Sequence, residues 1–207
     1  MRAHAPFLHV GKREKLSPVT DAPPQDAPAD ADAYADAPLI ITLDLDAATF
    51  GRLDGLRKAH FPAALNRIPA HLSLIHQLPG DRLEEVISNL AALSPDGAIP
   101  LELSGLRLLG RGVAYDVTSP LLLDLHRRIA KRWAEALIPQ DRQKFTPHVT
   151  IQNKTSPQAA RALRDGLARE FQPIRGQGVG LLIWRYLGGP WRLERRIGFG
   201  ANDVETL

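Results

Sequence analysis

Residues 145–151 read FTPHVTI, and residues 69–74 read PAHLSL. Each stretch places a histidine, an apolar residue, a hydroxyl residue and a second apolar residue in a row: His71-Leu72-Ser73-Leu74 and His148-Val149-Thr150-Ile151. Successive side chains of an extended chain point to opposite faces. His71 and Ser73 therefore share one face, while Leu72 and Leu74 turn to a core. His148 and Thr150 stand against Val149 and Ile151 in the same way.

The flanking sequence has the same order around both motifs. LIITLDLD (39–46) reads as a strand ending in Asp46 as a helix N-cap, and the helix stops at Phe61-Pro62. HLSLIHQL (71–78) is a strand. Asp81 and Glu84 resemble a capping box ahead of a helix with apolar positions Leu83, Val86, Ile87, Leu90 and Leu93. PLELSGLRLL and GVAYDVT form a strand pair around Gly110-Arg111-Gly112. Ser119-Pro120 then opens a helix with the stripe Leu121, Leu125, Ile129, Trp133 and Leu137. HVTIQN is a strand, and Ser156-Pro157 opens a helix with Leu163, Leu167 and Phe171 facing inward. The closing VGLLIWRYL–GGP–WRLERRIGF is a hairpin. The expected fold class is α+β. Two similar lobes from an internal duplication, each an antiparallel-rich sheet with flanking helices, face each other across a central cleft.

Residues 1–38 stand apart from this pattern. They hold six of the 17 prolines and the run DAPPQDAPADADAYADAP, which lacks the apolar content to fold alone. The expected organisation is a disordered or loosely attached leader over 1–38, the bilobal domain over 39–200 and a tail over 201–207. The chain has no cysteine, which excludes disulfides and thiolate chemistry and suits a reducing, cytoplasmic setting. Neither a secretory signal nor an apolar run of membrane-spanning length is visible, and a monomer is expected. Net charge is +3 overall, yet residues 125–200 carry 15 basic and 5 acidic side chains, hence +10. Such a half-chain attracts polyanions.

Two imidazoles titrating near neutrality suit a reaction that needs a base on one side and an acid on the other. In-line displacement at phosphorus is the natural case. One imidazole takes a proton from the attacking water or hydroxyl, the other protonates the departing oxygen, and Ser73 and Thr150 donate to non-bridging oxygens. No carboxylate or cysteine accompanies either histidine at metal-ligand spacing. Arg142, Lys144 and Lys154 flank the second motif as candidate phosphate contacts. Phe145, Tyr115 and Trp184, with Tyr186 behind them, are candidate base-stacking rings. His76 points away from His71 and reads as structural, His126 as a helix-surface residue, and His60 as a helix-end charge. His4 and His9 lie in the leader.

The duplicated pattern resembles the two-histidine phosphoesterase superfamily, and within it the bacterial 2′-5′ RNA ligases or RNA 2′,3′-cyclic phosphodiesterases. The similar segments are HLSL (71–74), FTPHVTI (145–151) and YLGGPWRLERRIGFG (186–200). The resemblance extends over 39–200, with serine at position 73 where threonine is commoner. It implies two lobes about a cleft and opening of 2′,3′-cyclic phosphates to 2′-phosphates, with reversible 2′-5′ RNA joining in some members. It also implies no metal or nucleotide cofactor, His71 and His148 as catalytic residues, and Ser73 and Thr150 as phosphate contacts. Expected partners are RNA ends, such as tRNA halves or oligoribonucleotides, or cyclic nucleotides. Relatives often carry a basic residue close behind the second motif, whereas Gln152-Asn153 intervene here before Lys154. The alternatives are a non-catalytic module binding RNA or a phosphometabolite, and a two-histidine esterase for another nucleotide such as ADP-ribose cyclic phosphate.

Overall fold

In the computed structural model, residues 34–200 and 204–205 are described; residues 1–33 of the leader expected over 1–38 lie outside them, as do His4 and His9. The elements run β1 (Leu39–Leu45), α1 (Ala47–His60), β2 (Leu72–Leu78), α2 (Leu83–Leu93), β3 (Ile99–Leu108) and β4 (Val113–Thr118). They continue with α3 (Pro120–Arg132), β5 (His148–Gln152), α4 (Pro157–Ala168), β6 (Ile174–Tyr186), β7 (Trp191–Gly198) and β8 (Val204–Glu205).

All strands join one antiparallel sheet in the order β2-β1-β6-β3-β4-β5, with β7 on β6 and β8 on β7. The 13-residue β6 makes this continuous. Its Gly178 pairs with Leu45 on one side and Ile99 on the other. Residues 174–178 run along β3, and 180–186 run along β7. The two histidine-bearing strands are thus the ends of the six-strand path. Adjacent strands rotate by about 20–25°, and over this path the sheet curls until β2 and β5 lie in contact. The fold is α+β, with helices flanking an antiparallel sheet.

Local chemistry sets most element starts. Asp46 Oδ1 accepts the amides of Ala48 and Thr49, and its Oδ2 accepts the Gln177 amide at 2.7 Å, tying the start of α1 to β6. Ser119 and Ser156 cap α3 and α4 through Leu122 N and Ala159 N. The Asp81/Glu84 capping box does not form. A 3₁₀ turn over Gly80–Arg82 leads into α2, whose N-cap is Arg82 without a side-chain bond. The stripe of α3 is also rotated from expectation. Leu121 is 58% exposed, and Leu122 takes the buried place with Leu125, His126 and Ile129. Position 121, just behind the helix-opening proline, lies about 100° from 122. The core is continuous from Ile41 and Leu43 through Leu74, Leu90 and Leu122 to Val149 and Ile183.

Two boundaries differ from the sequence reading. Buried Arg185 donates to the carbonyls of Tyr34, Ala35 and Ala37, so the end of the expected leader packs on the sheet. The tail contributes β8, paired with β7 at Arg196–Glu205 and Ile197–Val204.

Close passage of β7 over β6 requires glycine at position 180. A Cβ there would stand 2.5 Å from the Ile197 carbonyl oxygen. Gly180→Ala is expected to lower stability by about 1–3 kcal/mol through this overpacking. Urea unfolding with an unchanged midpoint would show that the strands can separate freely.

Candidate active site

The alternation expected of the motifs is realised. Leu72, Leu74, Val149 and Ile151 are buried, whereas His71, Ser73, His148 and Thr150 keep partial exposure. His71 Nδ1 bonds the Pro69 carbonyl at 2.8 Å, and His148 Nδ1 bonds the Thr146 carbonyl at 2.9 Å. Each bond is to the residue two positions back. A carbonyl only accepts, so Nδ1 carries the proton in both rings and Nε2 is the nitrogen left to exchange one.

What brings these strands together is buried charge. Arg57 on α1 is 5% exposed. Its Nε donates to Asn66 Oδ1 at 2.8 Å and the Ile68 carbonyl at 3.0 Å, just ahead of His71. Its Nη1 donates to the Thr150 carbonyl, inside the second motif, at 2.9 Å. The Phe61 ring lies 4.2 Å from the guanidinium carbon. One turn earlier, Asp54 accepts the Ala70 amide at 2.9 Å and pairs with Lys58. Neither residue was singled out from sequence. The available signal was that RLDGLRKAH lacks an apolar stripe, and the buried face of α1 is Thr49, Leu53, Asp54 and Arg57.

A second latch lies farther along β2. Asp141, from the segment between α3 and β5, accepts the amides of His76 and Gln77 and bonds His76 Nδ1 at 2.7 Å. Burial pushes this carboxyl up, but the bonds from His76 and Gln77 prevail and hold it below the usual carboxylate range. His76 is thus structural, as expected.

His71 sits in a distinct environment. Its ring lies 4.8 Å from that of Trp191, which neighbours Trp184 at 6.2 Å. Trp184 Nε1 donates to Thr42 Oγ1 at 2.8 Å, and Thr42 lies opposite Ser73. Burial pulls His71 down to about 4 against the Pro69 hydrogen bond, and the positive charges of Arg57, His76 and His148 add to the fall. Trp191 lies in the closing segment 186–200, and its sequence signal is an aromatic at the start of the last hairpin strand.

The remaining candidates separate. Lys154 is exposed, at φ 61°, and its amide bonds Asn153 Oδ1. Four strand steps, about 13 Å, separate His148 from Gln152 before Lys154 is reached, which sets it beyond the far end of β5. Arg142 bonds the Leu137 carbonyl and lines a cavity beside α3, and Lys144 is exposed in the same segment. Tyr115 is no open platform, being 4% exposed with its ring 6.1 Å from Phe171. Phe145 is half-buried and stacked on His126 at 3.9 Å. His126 itself is buried at 8%, not on the helix surface, because the inward arc of α3 includes 126 beside 122, 125 and 129. Tyr186 is exposed, and His60 ends α1 as expected. An unforeseen cation, Arg107, bonds Thr146 Oγ1 and pairs with Asp116, the residue opposite His148. Among the described residues, no three His, Asp, Glu or Cys side chains converge as metal ligands, and no helix is long and apolar enough to cross a membrane.

The family model of the 2′-5′ RNA ligase superfamily matches residues 44–190, a span that holds both motifs and Arg57. The chain belongs to this superfamily. Among solved structures, TT0787 of Thermus thermophilus is similar at a TM-score of 0.58 and 16% identity, covering 80% of this chain and all of its own. E. coli LigT complexed with NADP+ gives 0.53 and 17%, covering 80% and 99%. LigT complexed with 3′-AMP gives 0.52 and 18%, covering 79% and 98%. These likenesses establish the fold. No curated protein matches the chain.

Removing the Arg57 guanidinium leaves two carbonyls and an amide oxygen without their donor. Arg57→Ala is expected to cost about 3 kcal/mol or more in urea unfolding, with Arg57→Lys between. A loss within about 0.5 kcal/mol, ordinary for surface changes, would show that the latch is dispensable. For Asp141 the folded-state pKa is the lower one, so its contribution is present above the unfolded value near 3.9 and is lost as pH falls through the folded value. Asp141→Asn should therefore flatten the acid limb of stability against pH, and an unchanged limb would assign that limb to other groups.

Proposed function

We propose that the chain is a phosphodiesterase opening 2′,3′-cyclic phosphates at RNA or nucleotide ends to 2′-phosphates by acid–base catalysis between His71 and His148. The observation that carries the reading is the matched anchoring of two imidazoles at the starts of adjoining strands, His71 just ahead of β2 and His148 opening β5. Each is bonded through Nδ1 to the carbonyl two residues back, and each is followed two residues on by a hydroxyl, Ser73 or Thr150. The strand order supports descent from a duplicated unit with two facing lobes. Exchanging β1, β2 and β6 for β4, β5 and β3 maps the path onto itself, with α1 and α3 each connecting an antiparallel pair. LigT complexes with 3′-AMP and NADP+ support a nucleotide end as the recognised group.

In this mechanism water attacks phosphorus in line with the 3′-oxygen. His71 Nε2 takes a proton from the water as the new P–O bond forms. His148, protonated at Nε2, gives its proton to the 3′-oxygen as that P–O bond breaks. The product carries a 2′-phosphate and a 3′-hydroxyl; His71 then releases its proton to solvent, and His148 gains one. Ser73 and Thr150 donate to the non-bridging oxygens. A 5′-hydroxyl in place of water would yield a 2′-5′ bond with the same proton assignments. What favours His71 as the base is its burial against Trp191 and near Arg57, which keeps the ring neutral and able to accept.

The test is hydrolysis, in EDTA, of a short RNA ending in a 2′,3′-cyclic phosphate. Wild type should release a 2′-phosphate, and His71→Ala or His148→Ala should each lose about 10²–10⁴-fold in kcat. Because the His71 pKa is lowered to about 4, its basic form persists on acidification, and kcat/KM should show no acid limb between about pH 7 and 5. An acid limb centred near the ordinary histidine value of about 6.5 would reject His71 as the base. RNA binding without turnover at any pH would favour the binding-module alternative.

A further inference from the structure

We propose that the segment 139–147 and the adjoining face of α3 form a docking surface for the RNA strand upstream of the cyclic phosphate, resting on the reading above for the identity of the reacting end. A 2′,3′-cyclic phosphate can only close an RNA at its 3′ end, so all further nucleotides extend from one side of the reacting group. The fold offers them a track. Segment 139–147 begins where Asp141 caps β2 at His76 and Gln77 and ends at His148. It therefore leads back along β2 toward His71, a distance of about 17 Å for five strand residues.

At the far end of that track lies a cavity of about 340 Å³ lined by His126, Arg127, Arg142, Gln143 and Phe145, with Asp141 behind them. The Asp141 oxygens are turned to β2, where they meet His76 and Gln77, and the residue is 6% exposed. The open side of the cavity is cationic. Lys131 and Lys144, each next in sequence to a lining residue, are exposed. Among the described residues no carboxylate pairs with Lys131, Arg142 or Lys144, while Asp124 serves both Arg127 and Arg128. Phe145 stacks on His126 with rings 8° from parallel, and since His126 is the buried member, Phe145 is the outer ring of the pair.

Unpaired cations around an aromatic ring are the elements of sequence-tolerant single-strand binding: the cations track phosphates, and the ring continues a base stack. An acidic peptide would use the cations but has no need of the ring. The surface draws on four of the 15 basic residues of 125–200: Arg127, Lys131, Arg142 and Lys144.

Binding is the direct test, because it is independent of turnover. A fluorescent single-stranded RNA of about ten nucleotides, within the usual site size, is titrated with the full chain at several NaCl concentrations. Lys131→Gln/Lys144→Gln removes two exposed cations that hold no structural bond. It should weaken binding at low salt and make the slope of log Kd on log salt shallower by about 1.4, the value for two single-strand phosphate contacts. Phe145→Ala should weaken binding about tenfold, in line with loss of one stacked base. In hydrolysis, both changes should reduce kcat/KM for the oligomer at least tenfold more than for 2′,3′-cyclic AMP. RNA binding by wild type that is absent, or that is unaltered in affinity and salt slope by the double variant, overturns the surface even if cyclic AMP is hydrolysed. Equal binding of polyglutamate, insensitive to Phe145→Ala, would overturn it in favour of an acidic protein partner. Retained RNA binding with the expected slopes but no hydrolysis would uphold the surface and reject the enzymatic reading.

Discussion

A guanidinium shared between the carbonyls of Ile68 and Thr150 is the contact on which the site depends. Both histidine strands are sheet ends, and an end strand presents unpaired amides and carbonyls. Bringing two such edges together without a ladder between them strands polar groups at the join. The chain answers with groups of matching polarity. Arg57, a fork of donors, meets carbonyls, and Asp141, an acceptor, meets the amides of His76 and Gln77. Had β2 and β5 paired directly, their backbones would stand about 4.8 Å apart, which leaves no room between them for a substrate. Charged side chains hold the strands as neighbours and keep them from zipping.

Burying such groups is costly unless every bond is made. That explains the company they keep. Arg57 has Asn66 and the Phe61 face as well as the two carbonyls, and Asp54 beside it is bonded to Ala70 and Lys58. Helix α1 therefore looks poorly amphipathic by sequence while being firmly packed. Its inward face recognises backbone, and leucine could not do that.

The legible part of the sequence was the part governed by neighbours in the chain. Period-two alternation placed the side chains of both motifs, Asp46, Ser119 and Ser156 marked helix starts, and GGP marked the last turn. What depended on distant partners was not legible. Arg57 and Asp141 carry no local mark, because the partners that give them their roles lie 93 and 65 residues away. Tyr115 and His126 read as open because the groups that cover them, Phe171 and Phe145, come from other elements. Leu121 and Leu122 stand side by side, and only packing decides between them.

The two motifs are almost the same in sequence and share the same tautomer-fixing bond, so no inspection of the motifs alone tells the proposed base from the proposed acid. The distinction arises outside them. Trp191 packs on His71 from the final hairpin, and Arg57 approaches it from α1. If a duplicated unit underlies the fold, its copies were equivalent at first, and elements appended or altered later broke the symmetry. A base and an acid must differ, whereas duplication supplies identical groups. In the proposed mechanism, packing an indole on one imidazole, with the charge of a guanidinium nearby, makes the two differ while both motifs stay alike. Under the proposed mechanism the lowered pKa leaves His71 unprotonated at rest, the state from which that mechanism opens a cyclic phosphate by water or by a 5′-hydroxyl alike. The reverse reaction starts from His71 protonated, a scarcer form near neutrality. Equilibrium between substrate and product is unaffected, but the resting protonation state matches the opening direction of the proposed reaction. On this view the hairpin that carries Trp191 is as much a part of the catalytic design as the motifs themselves.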